Sequence, residues 1–131
     1  MGAAENKQLV HDTFSALGAG DSDKFFGNLS DDVCWTIIGT TKYSHTYKGK
    51  ADIVARLFTP LTEQLDGFIT NTVLNTIADG DFVAMQTQGK SRTKTGKPYN
   101  NTYCLVIQLQ DRKIQKITEY LDTELVTTAF E

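Results

Sequence analysis

The residues best equipped for chemistry lie in the last third of the chain, where hydrophobicity alternates with period two. Phe82 to Thr93, Tyr99 to Gln110 and Ile114 to Leu121 read as three adjacent strands, joined at Thr95-Gly96-Lys97-Pro98 and at Asp111-Arg112-Lys113. One parity of these strands gathers Gln86, Gln88, Asn101, Tyr103 and Glu119 on the inner surface of a curved sheet. A carboxylate facing an apolar interior is either a proton carrier or a ligand anchor. Desolvation raises the pKa of such an acid, and without an arginine beside it Glu119 would exchange protons near neutral pH. Tyr103 would donate a hydrogen bond to an oxygen on which charge develops, while Gln86 and Gln88 would orient a carbonyl or hydroxyl group. The same residues also allow a structural account. In it Glu119 bonds Tyr103, Asn101 or Gln88, and the amides form a network that holds the sheet floor together.

The rest of the chain supplies the elements that must position this set. Val10, Thr13, Phe14 and Leu17 share one helical face, which predicts an amphipathic helix over 4–17, stopped by Gly18 and Gly20. Asp21 or Ser22 then caps a short helix carrying Phe25, Phe26 and Leu29. Val33 to Ile38 reads as a first strand and Thr40 to Lys48 as a loop in which His45 is a candidate gate. A third helix over 51–65 turns Ile53, Val54, Leu57, Phe58, Leu61 and Leu65 inward, and Pro60 should bend or break it. Phe68 to Ala78 is the second strand in chain order, and Thr123 to Phe130 a short tail that packs through Leu125, Val126 and Phe130. The order α-α-β-α-β-β-β-β gives one α+β domain over 1–131, with helices on one face of a mostly antiparallel sheet. Gly89 is a candidate bulge.

Composition narrows the function classes. A net charge of -3 argues against nucleic acid, whose binding rests on phosphate neutralisation. Lys90, Arg92 and Lys94 read as a solvated strand edge. No apolar run approaches the roughly 20 residues that span a bilayer, and the first residues lack the pattern of a signal peptide. A cytoplasmic protein is therefore expected. Cys34 and Cys104 read as small buried hydrophobes inside strands, and two scattered histidines give no basis for a metal site. Neither metal nor organic cofactor is expected. In Tyr103 to Leu109 one face carries Tyr103, Leu105, Ile107 and Leu109, and the other Cys104 and Val106. A sheet apolar on both faces implies a cover for the second, most simply a homodimer through the sheet.

With this element order, the chain resembles the nuclear-transport-factor-2-like (NTF2-like) superfamily, specifically its SnoaL-like polyketide cyclases and ketosteroid isomerase relatives. The resemblance rests on Leu29-Ser30-Asp31-Asp32-Val33-Cys34-Trp35, on Tyr47-Lys48-Gly49-Lys50-Ala51-Asp52-Ile53, on Asn100-Asn101-Thr102-Tyr103 through Lys113-Ile114, and on Glu119-Tyr120-Leu121-Asp122. It implies a cone, in which a strongly bent sheet wraps a cavity that three helices close, and a pairing of sheets that many members share. Under it the base position of the steroid isomerases falls on Ile37, their oxyanion acid near Leu105 and their helical tyrosine near Phe14. All three are apolar here, which excludes that machinery. The limonene epoxide hydrolase relatives place a last-strand catalytic acid at Glu119, with Gln86 and Gln88 where they carry an arginine and a second acid, and Trp35 and Ile37 where they carry a tyrosine and an asparagine.

Three functions remain open at this point. The first is an isomerase, cyclase or hydratase acting by proton transfer on a small apolar molecule that bears a carbonyl, hydroxyl or epoxide. Glu119 would move the proton, Tyr103 with Gln86 or Gln88 would hold the oxygen, and Phe14, Trp35, Ile37, Leu105 and Leu121 would form the wall. The second is a dimeric ligand-binding protein without catalysis. The third is an adaptor that works through its outer surface.

Overall fold

The computed structural model describes residues 2–131. Helix α1 (Ala3–Gly18) and α2 (Ser22–Gly27) lead into β1 (Leu29–Ile37) and β2 (Thr46–Lys48). Next come α3 (Lys50–Asp52), a π-helical turn (Ile53–Phe58) and α4 (Thr59–Gln64). The remainder is β3 (Thr70–Asp79), β4 (Phe82–Lys90), β5 (Thr102–Gln110), β6 (Lys113–Leu121) and α5 (Thr123–Ala129). The six strands form one mixed sheet in the order β2-β1-β6-β5-β4-β3, in which only β1 and β6 run parallel. The sheet curls without closing, and the helices lie inside the curl.

Alternation sets what faces the helices. Three rows cross the sheet on its inner side: Trp35, Ile117, Ile107 and Val83; Ile37, Glu119, Leu105 and Met85; Leu121, Tyr103, Thr87 and Val73. The first row is the most deeply buried, with Ile107 and Val83 fully enclosed. Asp111 and Arg112, both at positive φ (52° and 62°), make the two-residue turn between β5 and β6 whose twist matches that of its strands.

Four departures from the sequence reading have local causes. Strand β2 lies inside the expected loop; it is three residues long, too short for period two to register, yet its Tyr47 pairs with Trp35 and is fully buried. Leu29 starts β1 rather than ending α2. The tail is a helix, capped by the Asp122 carboxylate, which accepts a hydrogen bond from the Leu125 amide at 3.1 Å. Pro60 does not break the third helical region. The π turn ahead of it bonds the Thr59 amide to the Val54 carbonyl, five residues back, and Pro60 falls in the first turn of α4, where no donor is required. The wider turn also rotates Val54 outward, 41% exposed, while Ile53 and Leu57 stay buried. The only bulge in the β3–β4 ladder is at Leu74, between Val73 and Asn75, and pairing runs through Gly89 undisturbed. Cys34 and Cys104 are free, half-buried and on the outer face of the sheet.

Candidate functional site

The inner surface and the helices enclose a cavity of about 740 Å³. Its wall is largely apolar and aromatic, built from Phe14, Trp35, Ile37, Phe58, Leu105 and Leu121. Trp35 is the sheet's member of an aromatic cluster that ties the sheet to the helices. Its ring meets Phe58 at 5.6 Å, Phe14 at 6.2 Å and Phe25 at 6.3 Å between centroids, mostly edge to face, an arrangement worth about 1 kcal/mol per pair beyond simple burial. The exposed members of the lining come from α1 and the turn that follows it (His11, Ser15, Gly18, Gly20, Ser22), from α4 (Thr62) and from the run into β3 (Gly67, Phe68, Thr70, Asn71, Val73). They mark the opening, between the end of α1 and the start of β3.

Glu119 lies within this wall. Its neighbours across the sheet are Ile37 on one side and Leu105 on the other, and its side chain is buried. The Trp35 indole N–H donates to its Oε1 at 3.2 Å, and among the described residues no other hydrogen bond reaches the carboxyl. Burial pushes its pKa up from 4.5 to about 7, against the opposing pull of the indole. The group is therefore half protonated near neutrality and can either give or take a proton.

Two phenols stand beside it. Tyr103 is the diagonal neighbour of Glu119 across the β5–β6 pair. Its pKa is driven far upward, first by burial and then by Tyr99 and Glu119, so it stays a neutral donor. Tyr99 also lines the cavity, and burial raises its pKa as well. Its hydroxyl accepts from Asn101 Nδ2 at 3.2 Å. The orientation of that amide is fixed, because Nδ2 also donates to the Asp122 carbonyl and Oδ1 accepts the Asp122 N–H, both at 3.0 Å. Beyond that amide the Tyr99 hydroxyl pairs with the Tyr103 phenol, which pulls the Tyr99 pKa down and pushes that of Tyr103 up.

Of the expected site residues, Glu119, Tyr103, Phe14, Trp35, Ile37, Leu105 and Leu121 converge on the cavity. Gln86 and Gln88 do not. They pair with Cys104 and Thr102 on the outer face, because β4 turns Val83, Met85 and Thr87 inward. Gln88 spends its amide on the Asn100 and Asn101 carbonyls and on the Thr102 hydroxyl. Asn101 is fully buried but acts as a clamp on the backbone of Asp122 and does not line the cavity. His45 is exposed, its ring edge-on to Tyr47 at 5.9 Å, and does not reach the opening. His11 does, at helical spacing from Phe14 and Ser15, which was the signal for it. Tyr99 shares the parity of Tyr103, which was the signal for that residue. Gly89 has a packing role: a Cβ there would lie 3.0 Å from Cε2 of Tyr103, so its absence lets the phenol ring settle against β4.

The Glu119 shift carries a stability consequence with a definite sign. Between pH 4.5 and about 7 the unfolded chain has lost this proton while the folded protein keeps it. Rising pH therefore destabilises the fold through that window, by about 3 kcal/mol in full above it. Glu119→Gln, which keeps an acceptor for Trp35, should be more stable than the parent by up to about 3 kcal/mol at pH 8 and nearly equal to it at pH 4. Urea unfolding at the two pH values measures this; equal midpoints at pH 8 would show an unshifted carboxyl.

The family model described as a SnoaL-like domain matches residues 10–117. An NTF2-like protein from Burkholderia xenovorans is 25% identical, with 100% of this chain and 99% of that one covered and a TM-score of 0.83. A Jannaschia protein provisionally named a SnoaL-like polyketide cyclase is 17% identical over 97% of this chain and 92% of its own, with a TM-score of 0.82. A Bacillus subtilis protein provisionally named an isomerase is 22% identical over 99% and 96%, with a TM-score of 0.76. No curated protein matches this sequence. A curled six-stranded sheet, helices that close over its hollow and a domain match over most of the length lead to one conclusion: the chain belongs to the SnoaL-like family of NTF2-like domains.

Proposed function

We propose that this protein is a small-molecule enzyme that moves a proton on a compact, mostly apolar substrate bearing a carbonyl, hydroxyl or epoxide group, without a metal or organic cofactor. Isomerisation, cyclisation and hydration are the reaction types this chemistry allows. The observation that carries the reading is Glu119: a single carboxyl in an apolar wall, held by one indole and titrating near 7. A base or acid whose pKa sits near the working pH is the most effective proton carrier. Tyr103, with Tyr99 beside it, takes the oxygen-holding role for which Gln86 and Gln88 are wrongly placed. The names of the structural relatives, a cyclase and an isomerase, support the same reaction class.

The second reading, binding without turnover, draws on the absence of any further carboxylate in the cavity lining among the described residues. The two part on one variant. Native mass spectrometry identifies the compound that co-purifies, and its conversion is followed with the parent and with Glu119→Gln. In the variant kcat should fall by about 10²–10⁴, read at saturating compound so that any change in affinity is kept apart from the loss of chemistry. Unchanged turnover removes Glu119 from the chemistry; no turnover by either form supports the binder.

The assembly belongs to the same proposal. The outer face of the sheet exposes Ile77 (59%), Phe82 (49%) and Tyr120 (47%) around Ala84, Cys104 and Val106. Apolar surface of this extent on a central sheet face suits a second copy of the chain. Light scattering should show a dimer, and Val106→Arg, placing a charge at the centre of the face, should give a folded monomer. A parent chain that stays monomeric at high concentration would contradict the pairing.

A further inference from the structure

The charges around the cavity are one-sided. Among the described residues, its lining contains one carboxylate, Glu119, and neither lysine nor arginine. The titratable groups that face Glu119 are phenols: Tyr43 and Tyr47 from β2 and the loop before it, Tyr99 and Tyr103 from β5 and the segment before it. All four are raised in pKa by burial and carry no charge near neutrality. His11 from α1 stands at the opening. The cavity-lining residues of β1, β3, β4, the π turn, α4 and α5 include no titratable group. Arg56 lies over the ring of Tyr47 and is bonded to Asp52, outside the lining. Among the described residues a carboxylate in this position has no counter-ion, and Trp35 satisfies only one of its acceptor sites.

We propose that the cavity recognises organic cations: molecules with an apolar body and a protonated amine, whose nitrogen pairs with the Glu119 oxygen that Trp35 leaves free. The aromatic wall suits that charge. Rings of Trp35, Phe14, Phe58 and Tyr103 border the same space, and a cation against an aromatic face gains through the ring quadrupole, most where water is excluded. An anion entering the cavity meets neither a counter-charge nor a charged donor, and above pH 7 it meets a like charge. The inference rests on the pocket function proposed above and narrows its substrate class.

Three probes of one shape separate the possibilities: 1-naphthylmethylamine, 1-naphthylmethanol and 1-naphthoate, titrated calorimetrically into the parent protein and Glu119→Gln at pH 8 and pH 5.5. The amine stays protonated at both. In the parent at pH 8 it should bind at least tenfold tighter than the alcohol, and the carboxylate more weakly than the alcohol. At pH 5.5 the amine must displace the proton on Glu119, so its advantage should shrink by more than tenfold. In Glu119→Gln the advantage should vanish at both pH values, with alcohol binding retained as the measure of an intact cavity. An amine preference that survives in Glu119→Gln, or naphthoate binding as tightly as the alcohol, overturns the cation inference and leaves the pocket reading standing. Failure of all three, the alcohol included, overturns both.

Discussion

One hydrogen bond, from the Trp35 indole to the Glu119 carboxyl, defines the chemistry available to the cavity. A carboxyl in an apolar wall is costly when charged, and its surroundings decide how costly. A guanidinium at this place would fix it as an anion with a low pKa; a purely hydrocarbon wall would keep it protonated at any working pH. The indole N–H does neither. It stabilises the charged form enough to leave the pKa at about 7, so the group is poised between its two states.

The architecture can be read as the means of holding that pair. β1 and β6 run parallel, which sets Ile37 opposite Glu119 and Trp35 opposite Ile117, two residues back. The indole can then reach along the inner face to the carboxyl. Phe14, Phe25 and Phe58 come from three helical segments and fix the tryptophan ring from the other side. The π turn is part of this arrangement, since it brings Phe58 inward and sends Val54 to solvent. At the far end of β6, Asn101 locks the backbone of Asp122 and so sets where α5 begins to close the wide end of the sheet.

Much of this was legible in the residues, and the exceptions share a physical origin. Period-two alternation in β5 and β6 placed Tyr103, Leu105, Glu119 and Leu121 on the inner face, because those strands are central and alternate strongly. The same method put Gln86 and Gln88 inside by giving chemistry precedence over hydrophobicity. In β4 the apolar parity is Val83 and Met85, burial decides the register, and the glutamines follow to the outside. Asn101 has the inner parity but lies beyond the cavity, where a buried amide finds backbone to bond. Thr87 and Met85 were lost with the same register, and β2 was hidden by its length. The tail carries Thr127 and Thr128, β-branched residues of modest helix propensity; α5 owes its form to the Asp122 cap and to burial of Val126 and Phe130. The packing of Val126 and Phe130 was legible in the residues; the helical form was not, because propensity alone does not give it.

The carboxyl itself reports most directly on this arrangement. A carbon-13 NMR titration of Glu119 Cδ, assigned by comparison with Glu119→Gln, gives its protonation midpoint in the ligand-free protein. A midpoint close to 7 is the result that a desolvated acid restrained by one indole requires. A midpoint near 4.5, the value of a carboxyl in open water, would contradict it and leave a SnoaL-like fold around a cavity without a proton carrier.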